Sequence, residues 1–237
     1  MVDRASGRVA FSVPKVEGQP NEDSYGANGR LVAISDGASV SFDSVRWSRI
    51  LVSQYLQMPF FSPEWLAEAI ERFERRYDRD TLPWMQQASF DRGSFASLLA
   101  IHLADDATEA RVLAIGDSLA VLCDEDRIMA TFPYTEVAQF DQNPQLLSTN
   151  RAENKFVESL AGDEYIRCWS LSGLKKPAIL CMTDALGQWV LSRLHENPIC
   201  QLRQINGPSQ FRHFVERERR IGQLRRDDTT LLPIWSV

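Results

Sequence analysis

Three apolar runs in this chain each stop at an aspartate: Val32-Ala33-Ile34-Ser35 at Asp36, Leu113-Ala114-Ile115-Gly116 at Asp117, and Leu180-Cys181-Met182-Thr183 at Asp184. Runs this short, bounded by turn-forming residues, read as strands. A fourth acidic site, Asp227-Asp228, stands directly before the closing apolar run, and a fifth, Glu22-Asp23, lies in the polar stretch ahead of the Asp36 strand. A fold with this pattern must place several strand ends, and their carboxylates, at its edges.

Around these landmarks the chain reads as blocks. Val9–Val13 and Leu31–Ser35 are expected strands separated by a polar loop. A helix follows in which Phe42, Val45, Ile50, Leu51 and Tyr55 share a face. A second helix begins at the Ser62-Pro63-Glu64 cap and carries the stripe Leu66, Ala69, Ile70, Phe73, Tyr77. Glu68–Arg72 and Glu71–Arg75 stand four apart on its outer side, the favourable order for surface ion pairs. From Phe95 to Phe132 the chemistry switches to strands: Phe95–Leu103, Arg111–Ile115, Leu119–Cys123 and Ile128–Phe132, an expected antiparallel meander. Residues 133–162 read as loop with one short helix. Strands at Tyr165–Leu171 and Ala178–Met182, helices at Leu186–Leu194 and Ser209–Ile221, and a strand at Thr229–Ile234 complete the pass. Segregated strand and helix blocks predict an α+β fold rather than a parallel βαβ one. With no linker or internal repeat in its 237 residues, the chain is expected to form one domain, 1–237.

Composition narrows the function. A net charge of −6 and a pI near 5.2 disfavour a general nucleic-acid binder. No apolar run approaches the ~20 residues that cross a bilayer, and the N-terminal residues lack a signal-peptide core, so a cytoplasmic location is expected. Cys123, Cys168, Cys181 and Cys200 are widely spaced and form no Cys-x-x-Cys pair, which predicts buried free thiols. His102, His195 and His213 have no partner motif, and the six tryptophans are expected in the core. The basic run Arg217–Arg226 reads first as a solvated face, and second as a recruiter of acidic or phosphorylated partners beside Asp227.

Taken singly, each aspartate is explained as a turn residue or helix cap. Taken together, strand ends of one sheet system meet at a common rim. Carboxylates crowded there repel one another unless a cation neutralises them. Oxygen-only donors with no cysteine or histidine nearby suit Mg²⁺ or Mn²⁺ rather than zinc.

Six short motifs occur in a definite order: Asn21-Glu22-Asp23-Ser24, Asp36-Gly37, Gly93-Ser94-Phe95-Ala96, Gly116-Asp117-Ser118, Thr183-Asp184 and Asp227-Asp228-x-Thr230. In that order the chain resembles the 2C-type (PPM) metal-dependent protein serine/threonine phosphatases, from about residue 8 to its end. The resemblance implies a four-layer α-β-β-α sandwich of two antiparallel sheets flanked by helices. It implies two Mn²⁺ or Mg²⁺ ions, with Asp36 bridging both, the Gly37 carbonyl and Glu22 on one, and Asp184 and Asp227 on the other. Asp117 resembles the ligand of a weak third ion, and Asp23 a group that orients metal-bound water. The implied reaction is hydrolysis of phosphoserine or phosphothreonine by a water activated between two ions. The implied partners are a phosphorylated protein substrate and a cognate serine/threonine kinase, with no nucleic acid and no membrane.

The chain departs from the family pattern at Gly18, where an arginine usually grips the phosphate; Lys15 is the nearest cation. Ala38, Ala185 and Gln188 replace a histidine, a glycine and an aspartate of the pattern, and Asp228 replaces the asparagine that usually follows the Asp227 position. These departures motivate an alternative, a non-catalytic phosphatase-like domain that binds phosphoproteins or a partner subunit. A phosphatase for small phosphorylated metabolites is a third possibility.

Overall fold

Apolar runs with polar turns between them satisfy their backbone by pairing edge to edge, and in the computed structural model they do so as two five-stranded antiparallel sheets. The structure describes residues 9–158 and 164–235. In chain order the strands are β1 (Phe11–Val13), β2 (Ser24–Asn28), β3 (Leu31–Ser35), β4 (Phe95–Ala96), β5 (Leu98–Leu103), β6 (Glu109–Ile115), β7 (Leu119–Asp124), β8 (Arg127–Phe132), β9 (Leu147–Ser148), β10 (Ile166–Ser170), β11 (Pro177–Met182) and β12 (Thr229–Trp235). The helices are α1 (Ser44–Gln57), α2 (Pro63–Glu74), α3 (Trp84–Arg92), α4 (Lys155–Glu158), α5 (Asp184–Leu191), α6 (Pro198–Arg203) and α7 (Pro208–Arg220). One sheet runs β1-β12-β11-β7-β8, the other β10-β6-β5-β3-β2, and β4 and β9 form a small ribbon beside them.

Three apolar cores separate four layers. Val32, Ile34, Leu99 and Ile101 of one sheet meet Leu122, Ile179, Cys181 and Ile234 of the other. The alternate residues point outward: Ala33, Leu98 and Ile115 pack under Trp47 and Leu51 of α1 and Leu66, Ile70 and Phe73 of α2. On the far side Leu119, Val121, Leu180 and Met182 pack under Trp189 of α5, Ile199 of α6 and Phe211 of α7. Strands covered on both faces show continuous apolar runs rather than alternation, which is why β5, β7 and β11 look so uniformly hydrophobic. The α+β class and the α-β-β-α sandwich expected from the sequence are thus present.

The helix caps follow their local chemistry. Asp43 accepts the Arg46 amide at 3.1 Å ahead of α1, and Ser62 accepts the Trp65 amide at 3.2 Å ahead of α2. Arg75 pairs with Glu71 at 3.1 Å, but Arg72 turns inward to the Gln54 Oε1 at 3.0 Å instead of meeting Glu68. A buried amide is the better partner, since an exposed i,i+4 pair contributes only about 0.3–0.5 kcal/mol.

Other expectations need correction. The polar stretch after Asp23 is not all loop: Ser24–Asn28 is an edge strand, specified by its hairpin pairing with β3 rather than by its own residue types. The run Phe95–Leu103 breaks at Ser97, whose amide donates to the Asp36 carbonyl. The expected meander divides between the two sheets at Gly116–Ser118. Helices α3 and α6 were not expected. Residues 133–158 contain β9, 3₁₀ turns and α4, while 159–162 lie outside the described residues. Cys123 and Cys181 are buried, yet Cys168, on the edge strand β10, is exposed and Cys200 half-buried. Trp84 is exposed too.

Strand direction sorts the connections onto two rims. The registers Ile34↔Leu99, Leu98↔Ile115, Met182↔Leu119 and Val13↔Thr229 bring the ends of β1, β3, β6 and β11 and the starts of β2, β5, β7 and β12 to one rim. The turns 105–108 and 124–126 lie at the other.

Candidate active site

The first rim gathers every motif singled out in the sequence. Asp36 follows β3; its amide donates to the Ser97 Oγ at 3.0 Å, and its carbonyl accepts from the Ser97 amide at 2.9 Å. Ser97 Oγ shares a 2.8 Å hydrogen bond with Ser118 Oγ, tying the Asp36 turn to the crossing that carries Asp117. That crossing depends on Gly116 at φ 101°, where an added Cβ would lie 2.6 Å from the Ser97 Cβ. Gly37 is equally constrained: a Cβ there would lie 2.9 Å from the Ser44 carbonyl and 3.0 Å from the Glu22 carbonyl.

On the other sheet, Thr183 and Thr230 bond each other, the Thr230 amide donating to Thr183 Oγ1 at 3.0 Å. Both hydroxyls donate to Asp23 Oδ2, from Thr183 at 3.1 Å and from Thr230 at 2.6 Å. Asp228 accepts the backbone amides of Lys15 at 2.5 Å and Glu22 at 2.6 Å, so it clamps the N-terminal loop onto the start of β12. Hydroxyl and carboxylate bridges thus tie the Asp36 turn to the Asp117 crossing, and Glu22-Asp23 to the Thr183 and Asp228-x-Thr230 segments.

The carboxylates oppose one another. Loss of solvation, then the charges of Asp23, Asp117, Asp227 and Asp228, raises the pKa of Asp36 well above the usual carboxylate range. Burial raises Asp23 to about 8, against the lowering effect of the Thr230 bond. Its Oδ1 is buried without a partner among the described residues. Burial also raises Asp117, opposed by its own backbone hydrogen bond and by Arg225.

Of the residues predicted from sequence, Asp36, Asp23, Asp117 and Asp227 therefore feel one another directly, and Gly37 lies beside them. Lys15 Nζ reaches Asp227 Oδ1 at 3.3 Å. Asp184 joins the group through Arg225, whose guanidinium bonds Asp184 Oδ2 and stands 3.5 Å from Asp227 Oδ2. The Glu22 carboxylate instead accepts the hydroxyls of Ser39 and Ser44. Among the described residues no three acidic, histidine or cysteine side chains are already closed into a metal cage.

Two participants escaped sequence reasoning. Arg225 sat within a basic run and gave no hint that it faces Asp184. In the sequence Asp228 shows only as half of an acidic doublet that departs from the family's asparagine, and nothing there marks it as a clamp on the N-terminal loop.

Two stacked antiparallel sheets flanked by helices are the fold of the PPM phosphatases. The protein phosphatase 2C family model matches residues 15–217, and the chain belongs to that family. Among solved structures it is similar to the Mycobacterium tuberculosis serine/threonine phosphatase PstP/Ppp, with 14% identity and a TM-score of 0.60 over 95% of this chain and 97% of that one. The catalytic domain of PstP in complex with two manganese ions matches with 15% identity and a TM-score of 0.56, covering 97% and 98%. Stp1 from Staphylococcus aureus matches with 13% identity and a TM-score of 0.60, covering 97% and 94%. No curated protein sequence matches the chain. Among the described residues no helix is long and apolar enough to cross a membrane.

Proposed function

We propose that this chain hydrolyses phosphoserine and phosphothreonine in proteins, as a metal-dependent phosphatase. The observation that carries this reading is the set of side-chain bridges that draws Asp23, Asp36, Asp117, Asp227 and Asp228 from both sheets to one rim. An all-oxygen donor set of mutually repelling carboxylates, with one buried carboxylate oxygen left over, fits hard cations. By this reading Asp36, the Gly37 carbonyl, Glu22, Asp184 and Asp227 hold two Mn²⁺ or Mg²⁺ ions, with Asp117 at a weaker third site. Once bound, such a pair supplies a water of lowered pKa and charge for the phosphoryl oxygens.

The protein's own groups have distinct tasks. Asp23, held by two threonine hydroxyls, positions a water by hydrogen bonding. Lys15 and Arg225 bring cationic side chains to the cleft and are held there by Asp227 and Asp184. A phosphate dianion attracts both, and the planar guanidinium of Arg225 can bind it through two N–H groups. Arg225 thereby takes over the grip missing at Gly18. The substrate would be a phosphoprotein made by a cytoplasmic serine/threonine kinase. The PstP catalytic domain with its two manganese ions supports manganese as the first ion to try.

Calorimetric titration with Mn²⁺, paired with hydrolysis of a phosphothreonine peptide, tests the reading. Two bound ions and activity abolished by a chelator are expected; hydrolysis that survives the chelator overturns it.

Arg225 also favours a second reading. A guanidinium already neutralises Asp184 and Asp227, so a phosphatase-like domain could bind phosphoproteins or a partner subunit without ions. Phosphopeptide binding with no heat from Mn²⁺ would select it.

A further inference from the structure

Beside the acidic rim lies a pocket of opposite sign. It is bounded by the loop after β1 and by the last turns of α7, and Lys15, Arg212, Arg219, Arg220 and Arg226 line it. Among the described residues only two carboxylates, Glu17 and Glu216, share it, leaving these lining groups a net charge of +3 on a chain whose total is −6. The pocket opens next to the candidate active site: Lys15 also lines the neighbouring hollow that contains Glu22, Ser44 and Asp228, and Arg226 immediately precedes Asp227.

The cations are not equivalent. Arg212 pairs with Glu17 at 3.6 Å. Arg219 is structural, since its guanidinium donates to the carbonyls of Pro14 and Asp227 and to Thr229 Oγ1. Its Nε is nevertheless buried with no partner among the described residues. Burial first, then the charge of Arg226, lowers its pKa. Arg220 and Arg226 are exposed, and no carboxylate pairs with either among the described residues. Like charges held in one concavity repel, and focusing of their field makes the pocket a place where an anion binds.

We propose that this pocket is a specificity subsite for acidic side chains or a second phosphate flanking the phosphorylated residue of a protein substrate. The inference rests on the phosphatase reading for the neighbouring cleft. Because Lys15 borders both hollows, an extended peptide with its phosphate at the Asp36 rim passes within a few residues of Arg220 and Arg226, each residue spanning about 3.3–3.6 Å. Arginine suits this task, as its fork binds carboxylate and phosphate alike.

Three fluorescent phosphothreonine peptides test it, their flanks carrying glutamates, glutamines or one additional phosphoserine. Hydrolysis in Mn²⁺ and anisotropy binding without turnover are measured for wild type and for the Arg220→Ala/Arg226→Ala double variant. Wild type should favour the acidic peptide over the glutamine one by about tenfold, the sum of two or three screened charge pairs. The preference should lie in KM and Kd rather than kcat and shrink with salt. In the double variant it should fall to near unity. If only the second phosphate is preferred, the subsite reads phosphate; if glutamates serve as well, it reads charge. A preference unchanged in the double variant, or absent from wild type in both hydrolysis and binding, overturns the subsite. A peptide that binds with preference but is never hydrolysed keeps the subsite and removes the phosphatase reading instead.

Discussion

The two rims of the sandwich use the same residue in opposite ways. At the far rim Asp105, Asp106, Asp124 and Asp126 sit in two hairpins, one in each sheet, each with a partner of its own. Asp105 meets Arg30 at 3.3 Å and Asp126 meets Arg203 at 2.8 Å. Asp106 accepts from Thr108, and Asp124 accepts the amides of Lys175 and Lys176. At the site rim the chain crosses between sheets at 116–118, or passes from strand to helix after Asp36 and at Asp184. There the aspartates face one another, and their own hydroxyl partners serve to hold segments together. Aspartate in a hairpin stabilises a turn; aspartate at a crossing is left with its charge for something else.

Neutralising one carboxylate at each rim is the harshest way to break this contrast. Asp36→Asn should lower kcat/KM for a phosphothreonine peptide by about 10³-fold or more, since it removes charge at the centre of the cluster. Asp126→Asn should leave it within about twofold, because it removes only a half-exposed ion pair far from the cluster. Comparable losses at both rims would erase the distinction.

Backbone geometry sharpens the comparison at the next scale. Both rims contain positive φ: Gly116 at 101° on the crossing, Glu125 at 54° in the hairpin. Gly116→Ala forces a Cβ to 2.6 Å from the Ser97 Cβ, on the bridge between Asp36 and Ser118. It should cost about 2–4 kcal/mol of stability. Glu125→Gly relieves a left-handed residue but adds unfolded-state entropy, so it should change stability by less than about 0.5 kcal/mol. Urea denaturation of both variants measures the difference.

The apolar face of each strand and the helix stripes were legible because burial imposes periodicity along the chain. Leu66, Ala69, Ile70 and Phe73 announce α2 by spacing alone, and the runs into Asp36, Asp117 and Asp184 announce the rim. Ser24–Asn28 did not, because Ser, Gly and Asn become a strand only when β3 offers its edge. The meander's division was hidden for a similar reason: Gly116-Asp117-Ser118 reads as any turn until Ser97 is seen to occupy the space beside it. The Arg225–Asp184 contact links residues 41 apart in the chain, and an exposed guanidinium leaves no periodic trace. Motif order brought out the site; the charge pairing that tunes it came only from the folded arrangement.

The subtlest separation of the rims is in their pH response. Asp23 has a folded pKa of about 8 against 3.8 in its unperturbed form, through burial. Its share of stability is complete below about pH 4, where both states are protonated, and is lost as pH rises toward 8, because the unfolded chain releases the proton first. Asp106 shifts the other way, held down by the Thr108 hydroxyl and amide, so its small share is present above the unfolded value and lost on acidification. In a chelator, wild-type stability should therefore decline between about pH 5 and about pH 8. Asp23→Asn keeps an acceptor for Thr183 and Thr230 and cannot ionise, so it should flatten that decline by about 1–3 kcal/mol. Asp106→Asn should leave the slope in that window unchanged. Urea midpoints for the three proteins at both pH values decide the matter; an undiminished slope in Asp23→Asn would mean that the site-rim carboxylate is already ionised at neutral pH, and that the two rims differ in position but not in charge.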